Sequence, residues 1–230
     1  MKPNRADRAW LLLPTIALAL TACDALGADN PSNAAESGAA QADATAPRPI
    51  PCSVQAHGID AVQVRLQQRP QREPCDDSVN AQTVPLDELI RIIPDQHPSF
   101  YYVLATRLFE ADRKDEAVFW FYAGQLRYRS RLACHPELPP GTEPALFASL
   151  QEVAGTPINE YAGADPDAWV AAMERARAWD ETTRNGFEPR EPCRAAIAEQ
   201  RAGMGQLIDY VRANKAQIRQ ERASRGLPNR

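Results

Sequence analysis

Apolar residues recur at helical spacing in every segment of the chain that follows Pro85. No stretch shows the sustained alternation of apolar and polar positions that a half-buried β-strand requires. The pattern therefore predicts an all-α fold, in which Thr142 caps the fourth helix and Gly155 ends it. The predicted helices cover about 86–93, 99–111, 115–131, 142–155, 165–179 and 191–224.

The first 22 residues have the pattern of an export signal. Lys2, Arg5 and Arg8 precede an apolar run at residues 10–20. A permanent transmembrane helix needs roughly twenty apolar residues, so this run is too short to be one. A charged start followed by a short apolar core is typical of a signal peptide, which is removed after export.

The apolar run ends in Leu20-Thr21-Ala22-Cys23. This tetrad resembles the bacterial lipobox, in which a protease cleaves before a cysteine that has received a diacylglycerol. The resemblance implies lipidation of Cys23 and a periplasmic protein anchored to the inner or the outer membrane, and Asp24 favours the inner membrane in enterobacterial lipoproteins. Two or three acyl chains would hold the protein stably. The alternative is an ordinary secretory signal in which Cys23 is incidental.

The segment after the lipobox is poor in large apolar residues as far as Ile50. Such a composition cannot bury enough surface to offset the entropy of ordering, so residues 23–51 are predicted to form a flexible tether with a reach of roughly 30 Å. The predicted organisation is a signal peptide at 1–22, the tether at 23–51 and one helical domain at 52–230. Within that domain, 52–83 has no clear pattern and contains either a short helix or a strand.

Four cysteines remain after Cys23: Cys52, Cys75, Cys134 and Cys193. An even number in an exported chain favours two disulfides. Of the three possible connectivities we prefer Cys52 with Cys75 and Cys134 with Cys193, although sequence order alone does not choose between them. No pair of ligand residues has the short spacing of a zinc site. No metal and no cofactor are therefore expected.

The chain is mildly acidic. Its formal net charge is −4. Removal of residues 1–22 takes away three positive charges and Asp7, which leaves −6 on the mature chain. There is no basic stripe with interleaved aromatic residues, so nucleic acid is not an expected partner. An acidic surface favours a cationic partner through electrostatic steering, but ordinary solubility requires a similar charge.

Residues 101–129 read YYVLATRLFEADRKDEAVFWFYAGQLRYR, which is two helical stretches joined by a polar turn. This segment resembles a tetratricopeptide or Sel-like helical hairpin, although Asp112 stands where the repeat consensus has glycine. The small residues among the matching positions would let the two helices approach closely. Only one copy is visible, which favours a helical domain with one hairpin over a solenoid. The matching packing positions are Tyr101, Leu104, Ala105, Leu108, Ala117, Phe121 and Gly124.

The aromatic cluster at residues 119–122 lies in a stretch that is apolar on nearly every helical face. Such a helix is usually the buried centre of a fold, and this is the preferred interpretation. In the alternative, Trp120 and Tyr122 face away from the hairpin and contact a partner protein. A solvated helix end is predicted for Arg127, Arg129 and Arg131.

No catalytic motif occurs in the sequence. The three histidines, His57, His97 and His135, lie beside loops or prolines and have no spacing that marks a triad or a metal site. Residues 159–161 are predicted to form a polar loop. The prediction is therefore that the protein is not an enzyme, although residues distant in sequence can assemble a site that no motif reveals.

The stretch KDEAVFWFYAGQLRYR, in a tethered all-helical lipoprotein, is similar to immunity lipoproteins encoded beside secreted effectors. That resemblance implies binding to another protein, such as a cationic toxin or a wall hydrolase, with the membrane contacted through the lipid. The alternative is a scaffold lipoprotein that helps to assemble an envelope machine. The identity of the neighbouring genes would distinguish the two.

The lipobox predicts that replacing Cys23 with Ala abolishes acylation, because the thiol that receives the lipid is lost. Labelled palmitate should be incorporated into the wild-type chain and not into Cys23→Ala, which should leave the lipoprotein fraction. Equal incorporation into both proteins would show that the anchor assignment is wrong.

Overall fold

Helices form all of the regular secondary structure in residues 80–188 and 190–230, the part of the chain that the computed structural model describes. The predicted all-α fold is confirmed for these residues. The helices are α1 (Leu86–Ile92), α2 (Ser99–Glu110), α3 (Lys114–Cys134), α4 (Glu143–Val153), α5 (Gly155–Gly163), α6 (Pro166–Thr182), α7 (Arg190–Ala213) and α8 (Lys215–Ser224), with a 3-10 turn, Ile93–Asp95, after α1.

Several sequence predictions concern residues before 80 and lie outside the described residues. These are the signal peptide, the lipidation of Cys23, the tether, the Cys52–Cys75 pair and the element within 52–83, of which the structure describes only residues 80–83. They stay predictions.

The turn between α2 and α3 depends on one left-handed residue. Asp112 has a φ of 60°, and the N–H of Arg113 donates to the carbonyl of Leu108 over 2.9 Å. Aspartate tolerates this conformation because its short side chain can hydrogen-bond locally. Asp112 can therefore occupy the turn position at which a repeat hairpin usually has glycine.

Helices α2 and α3 pack closely where Gly124 faces Tyr101. A side chain at residue 124 would place its Cβ only 2.4 Å from the Cβ of Tyr101, a separation that van der Waals repulsion forbids. The predicted close approach of the two helices is confirmed at this position. Any larger residue at 124 would push the hairpin apart.

The aromatic part of α3 is the centre of the core, as the preferred interpretation of the sequence predicts. Helix α3 packs against α2, α4, α5, α6 and α7. The alternative reading of Trp120 and Tyr122 as partner-binding residues is wrong, because they are only 7% and 2% exposed. The Tyr122 hydroxyl accepts a hydrogen bond from Trp169 Nε1 over 2.7 Å and donates to Asn159 Oδ1 over 2.8 Å. Both hydrogen-bonding functions of this hydroxyl are thus used inside the domain.

The chain turns between α4 and α5 without leaving helical geometry. Ala154 has φ −81° and ψ −37°, so α5 begins directly at Gly155, which was predicted to end a helix. The absence of a side chain matters for packing, because a Cβ at this position would lie 2.9 Å from Cζ of Phe121. Residues 159–161 are consequently part of α5, and the predicted polar loop is wrong.

Two further boundaries differ from the sequence prediction. Thr142 precedes α4 as predicted, but its hydroxyl donates to the carbonyl of Pro139 over 2.6 Å and caps no α4 N–H. The predicted helix at 191–224 is two helices separated at Asn214. The Asn214 side-chain amide donates to the carbonyl of Tyr210 over 2.7 Å, and this local bond competes with continuation of the helix.

Replacement of Phe121 with Ala should lower the free energy of unfolding by roughly 3–5 kcal/mol, because the ring is fully buried and its removal leaves a cavity. Tyr210→Ala is the matched control: Tyr210 is an exposed aromatic residue, and its loss should change stability by less than about 0.5 kcal/mol. Urea unfolding of both variants measures the difference. Equal stabilities would place Phe121 outside the core.

Candidate functional site

Two buried arginines lie one turn apart on α3. Arg127 is 2% exposed and Arg131 is 1% exposed, so the predicted solvated helix end is wrong at these two positions. An arginine almost never occurs fully buried unless it is paired. Both side chains are paired with carboxylates that come from outside α3.

All five N–H groups of Arg127 have acceptors. Nε donates to Asp180 Oδ1 over 3.1 Å, and Nη1 donates to the Tyr101 hydroxyl over 2.8 Å and to the Pro94 carbonyl over 3.1 Å. Nη2 donates to the carbonyls of Thr183 and Arg184, each over 3.1 Å. Arg127 therefore joins α3 to α2, to the segment after α1 and to the end of α6.

The carboxyl end of α6 is surrounded by cations. Arg201 on α7 donates through Nε to Asp180 Oδ2 over 2.8 Å and through Nη2 to the Asp180 carbonyl over 2.9 Å. Arg190 donates to the carbonyls of Asp180, Glu181 and Thr183. The last carbonyls of a helix have no partner within it and carry partial negative charge, so arginines stabilise this end.

Arg131 forms a second buried cluster with two glutamates. Its Nε and Nη2 each donate to the Glu143 carboxylate over 2.6 Å, in a bidentate pair, and its Nη1 donates to Glu188 Oε2 over 2.5 Å. Glu143 is the first residue of α4, where the helix dipole favours a negative charge. Burial raises the pKa of Glu143, but the hydrogen bonds from His97 and Arg131 outweigh it and lower this pKa to about 2.

His97 connects Ser99 to the same glutamate. The backbone N–H of Ser99 donates to His97 Nδ1 over 3.1 Å, which requires that Nδ1 carry no proton. His97 Nε2 therefore donates to Glu143 Oε2 over 3.2 Å, and the Ser99 hydroxyl donates to Nδ1 over 2.7 Å. Burial lowers the pKa of His97, which favours this neutral form.

The order Ser99, His97, Glu143 has the connectivity of a nucleophile, a base and an orienting acid. Burial decides against that role, because Ser99 is 0% exposed and His97 is 1% exposed. A substrate cannot reach the hydroxyl in this conformation. The three side chains instead fix the start of α2 against the start of α4.

The preferred Cys134–Cys193 pairing is present as a disulfide, with 5.4 Å between the two Cα atoms. It links the last residue of α3 to the first turns of α7. The Glu188 carboxylate lies next to the sulfur atoms, and its Oε1 is 3.0 Å from His135 Nε2. Burial lowers the pKa of His135, but hydrogen bonds to Glu188 and Glu137 outweigh burial and raise this pKa.

The surface between α6 and α7 contains a groove of about 290 Å³. Arg212 lies between two carboxylates, Glu174 at 2.5 Å and Asp209 at 2.8 Å, and Arg177 lies 3.6 Å from Glu181. Three carboxylates and two guanidinium groups give this surface an excess of one negative charge. Its charges are otherwise compensated within the groove.

Sequence reasoning did not identify Glu143, Asp180 and Glu188 as ion-pair partners. Distance along the chain conceals two of the pairings, since Asp180 is 53 residues and Glu188 is 57 residues from its arginine. Glu143 is only 12 residues from Arg131, but it lies on the next helix, and the loop between them does not reveal the pairing. One signal was present: Arg127 and Arg131 are four residues apart on a helix rich in aromatic residues. That spacing puts both arginines on one face of the helix. If the aromatic residues around them are buried, the two guanidinium groups are buried too and need carboxylate partners inside the domain.

No helix within residues 80–188 and 190–230 combines the length and apolar character needed to cross a membrane. No protein-family model matches this chain, and the searches of curated proteins and solved structures gave no match either.

The buried pair predicts a pH-dependent loss of stability on substitution of Glu143. The pKa of Glu143 is about 2 in the fold against an ordinary value of 4.5, so the stability it contributes is present above pH 4.5 and is lost as the pH falls through 2. Glu143→Gln should therefore lower the free energy of unfolding by about 3 kcal/mol at pH 7, and the difference from wild type should shrink below pH 4.5.

Denaturant unfolding at pH 7 and pH 3 measures this difference. Glu199→Gln is the matched control, because Glu199 is an exposed glutamate on α7 and its substitution should have little effect at either pH. A difference for Glu143→Gln that stays constant across this pH range would contradict the assignment of Glu143 as the ionised partner of Arg131.

Proposed function

We propose that this protein is a lipid-anchored protein of the bacterial periplasm that acts by binding another protein. The partner that we favour is a secreted toxin or wall-degrading effector, which the bound protein neutralises. The observation that carries the proposal is the tetrad Leu20-Thr21-Ala22-Cys23, a lipobox pattern placed before a polar tether and a helical domain.

The tether supports a role in meeting a ligand near the membrane. The predicted tether at 23–51 would reach roughly 30 Å if it behaves as a random coil. A domain on such a tether samples a shell close to the bilayer, where an effector that attacks the membrane or the wall must pass. The net charge of −6 on the mature chain favours encounter with a cationic partner.

The distribution of charge within the described residues supports binding over turnover. The strongly perturbed groups Glu143 and His97 point into the core, where they hold helices together. The exposed groups form ion pairs across helix surfaces, such as Arg212 with Glu174. This arrangement gives a rigid helical body with a polar surface, and rigid surfaces lose little entropy on association.

The groove between α6 and α7 is the contact surface that we favour for a cationic partner. Arg212 is shared between Glu174 and Asp209, so neither carboxylate has a cation of its own. A lysine or arginine of a partner can therefore add an ion pair there without displacing an internal one. Loss of one partner from a desolvated pair weakens binding more than loss from an exposed pair, because the other charge is left buried and unpaired.

A second candidate function is a scaffold that helps to assemble an envelope machine. The packed hairpin of α2 and α3 favours it, because helical hairpins of this kind serve as binding platforms in repeat proteins. Both functions need the anchor and a binding surface. They differ in the partner.

Co-expression tests the immunity proposal. A periplasm-directed toxin encoded beside this gene should kill the host when expressed alone and should be tolerated when this protein is present. The two purified proteins should form a stable complex. The double variant Glu174→Lys and Asp209→Lys should weaken that complex by about tenfold or more, because it replaces attraction with repulsion.

The matched control is Glu199→Lys, a charge reversal of an exposed α7 glutamate that does not line the groove. It should leave the affinity nearly unchanged. If the complex forms and all three substitutions leave its affinity unaltered, the partner binds at another surface. If no neighbouring gene is toxic and deletion of this gene impairs assembly of an envelope machine, the immunity function is wrong and the scaffold function replaces it.

A further inference from the structure

Two sulfur atoms and a carboxylate meet where α3 ends and α7 begins. The ligand atoms of Cys134, Cys193 and Glu188 all lie within 4.8 Å of one another. The imidazole of His135 is adjacent, with Nε2 at 3.0 Å from Glu188 Oε1. We propose that, once the disulfide is reduced to two thiols, Cys134, Cys193 and Glu188 bind one thiophilic divalent cation, Zn²⁺ being the best fit, and that the neighbouring His135 moves in as the fourth ligand.

The donor set selects this class of metal ion. Thiolate sulfur and imidazole nitrogen are the ligands that zinc sites use most, with carboxylate oxygen as a common third type, whereas Mg²⁺ and Ca²⁺ are held by oxygen atoms. Four ligands match the tetrahedral geometry of Zn²⁺. In the disulfide form the sulfur atoms are bonded to each other and cannot act as thiolates, so the disulfide and the metal are alternative occupants of one place.

The site should survive reduction, because other interactions hold the same segment. Glu188 accepts from Arg131 Nη1 over 2.5 Å. Arg190 donates to the carbonyl of Thr183 over 2.6 Å. Glu188 and Arg190 lie in the segment that leads to Cys193. Glu188 attaches this segment to α3, and Arg190 attaches it to the end of α6. The two thiols are therefore expected to stay close together after the disulfide opens.

The local charges favour a cation over free thiolates. Arg131 supplies one positive charge to two carboxylates, Glu143 and Glu188. Two thiolates would add two further negative charges in a largely buried place, and a divalent cation offsets them. The imidazole of His135 must also give up its proton before it can ligate. Metal affinity should consequently fall as the pH is lowered.

The chemistry balances in two steps. A small-molecule dithiol reductant gives two electrons and two protons to the Cys134–Cys193 disulfide, which yields two protein thiols and the oxidised reductant. Zn²⁺ then replaces the two thiol protons, which are released to solvent. This site does not depend on the proposed function, because its test requires only the purified chain.

Cobalt(II) is the probe, since it replaces zinc in such sites and gives a near-ultraviolet absorption band when thiolate sulfur is bound. The full chain, reduced with a dithiol and freed of reductant under anaerobic conditions, should bind one equivalent of Co²⁺ with this band, and Zn²⁺ should remove it. The oxidised chain should show no band. A reduced wild-type chain without the band would overturn the proposal, whatever the variants do.

Variants assign the ligands. Cys134→Ser should abolish the band, whereas the double substitution Cys52→Ser and Cys75→Ser should leave it intact. Glu188→Gln, which keeps both sulfur ligands, should weaken Zn²⁺ binding by about tenfold or more in competition with a chromophoric chelator. A band that survives Cys134→Ser, or one that requires Cys52 and Cys75, would place the metal elsewhere and overturn the proposal.

Discussion

Two arginines on one face of α3 connect this helix to most of the domain. Through Arg127, α3 is hydrogen-bonded to α2 and to the carboxyl end of α6, and through Arg131 it is ion-paired with the start of α4 and with Glu188 before α7. Removing a charge from water is unfavourable, so such pairs stabilise a fold only when every donor and acceptor is satisfied. Here the guanidinium donors of Arg127 meet carbonyls, a carboxylate and a hydroxyl. An alternative packing of α3 would leave these charges buried without partners, so the pairs make competing arrangements unfavourable.

The sequence predicted the helices well and their electrostatics poorly, for a physical reason. Helix positions follow from local spacing of apolar residues, and the close contact at Gly124 follows from the resemblance of residues 101–129 to a helical hairpin. The predicted end of the fourth helix at Gly155 is nearly right, since α4 ends at Val153, but the next helix begins at Gly155 itself, where the absence of a side chain allows close packing on the distant Phe121. The carboxylates were not predicted because their pairing depends on how the helices pack: Glu143 lies 12 residues from Arg131, and Asp180 and Glu188 lie 53 and 57 residues from their arginines. Of the candidate site, only the Cys134–Cys193 disulfide was anticipated: the predicted export and the even number of cysteines favour disulfides, and this pairing was the preferred one of three.

The segment between α6 and α7 shows how ionic and covalent contacts combine. Its backbone carbonyls at Thr183 and Arg184 accept from Arg127, its Glu188 pairs with Arg131, and Cys193 just beyond it is bonded to Cys134. A connection of this length is ordinarily among the most mobile parts of a helical domain. Here each end is tied to α3 by a different interaction. The orientation of α7 relative to α6, and so the shape of the groove between them, is fixed by these ties.

Helix α8 is attached by a different kind of contact. Asp167 at the start of α6 pairs with Lys215 and Arg219 on α8, and all three side chains are partly exposed to solvent. Exposed ion pairs of this type contribute about 0–1 kcal/mol and weaken with salt. Regions held by such contacts open before a buried core does. A buried contact adds to these pairs, because Arg222 on α8 is 9% exposed and its Nη1 donates to the Glu160 carbonyl of α5 over 2.8 Å. Opening of α8 thus breaks this buried bond as well as the exposed pairs, and the groove between α6 and α7 involves none of them.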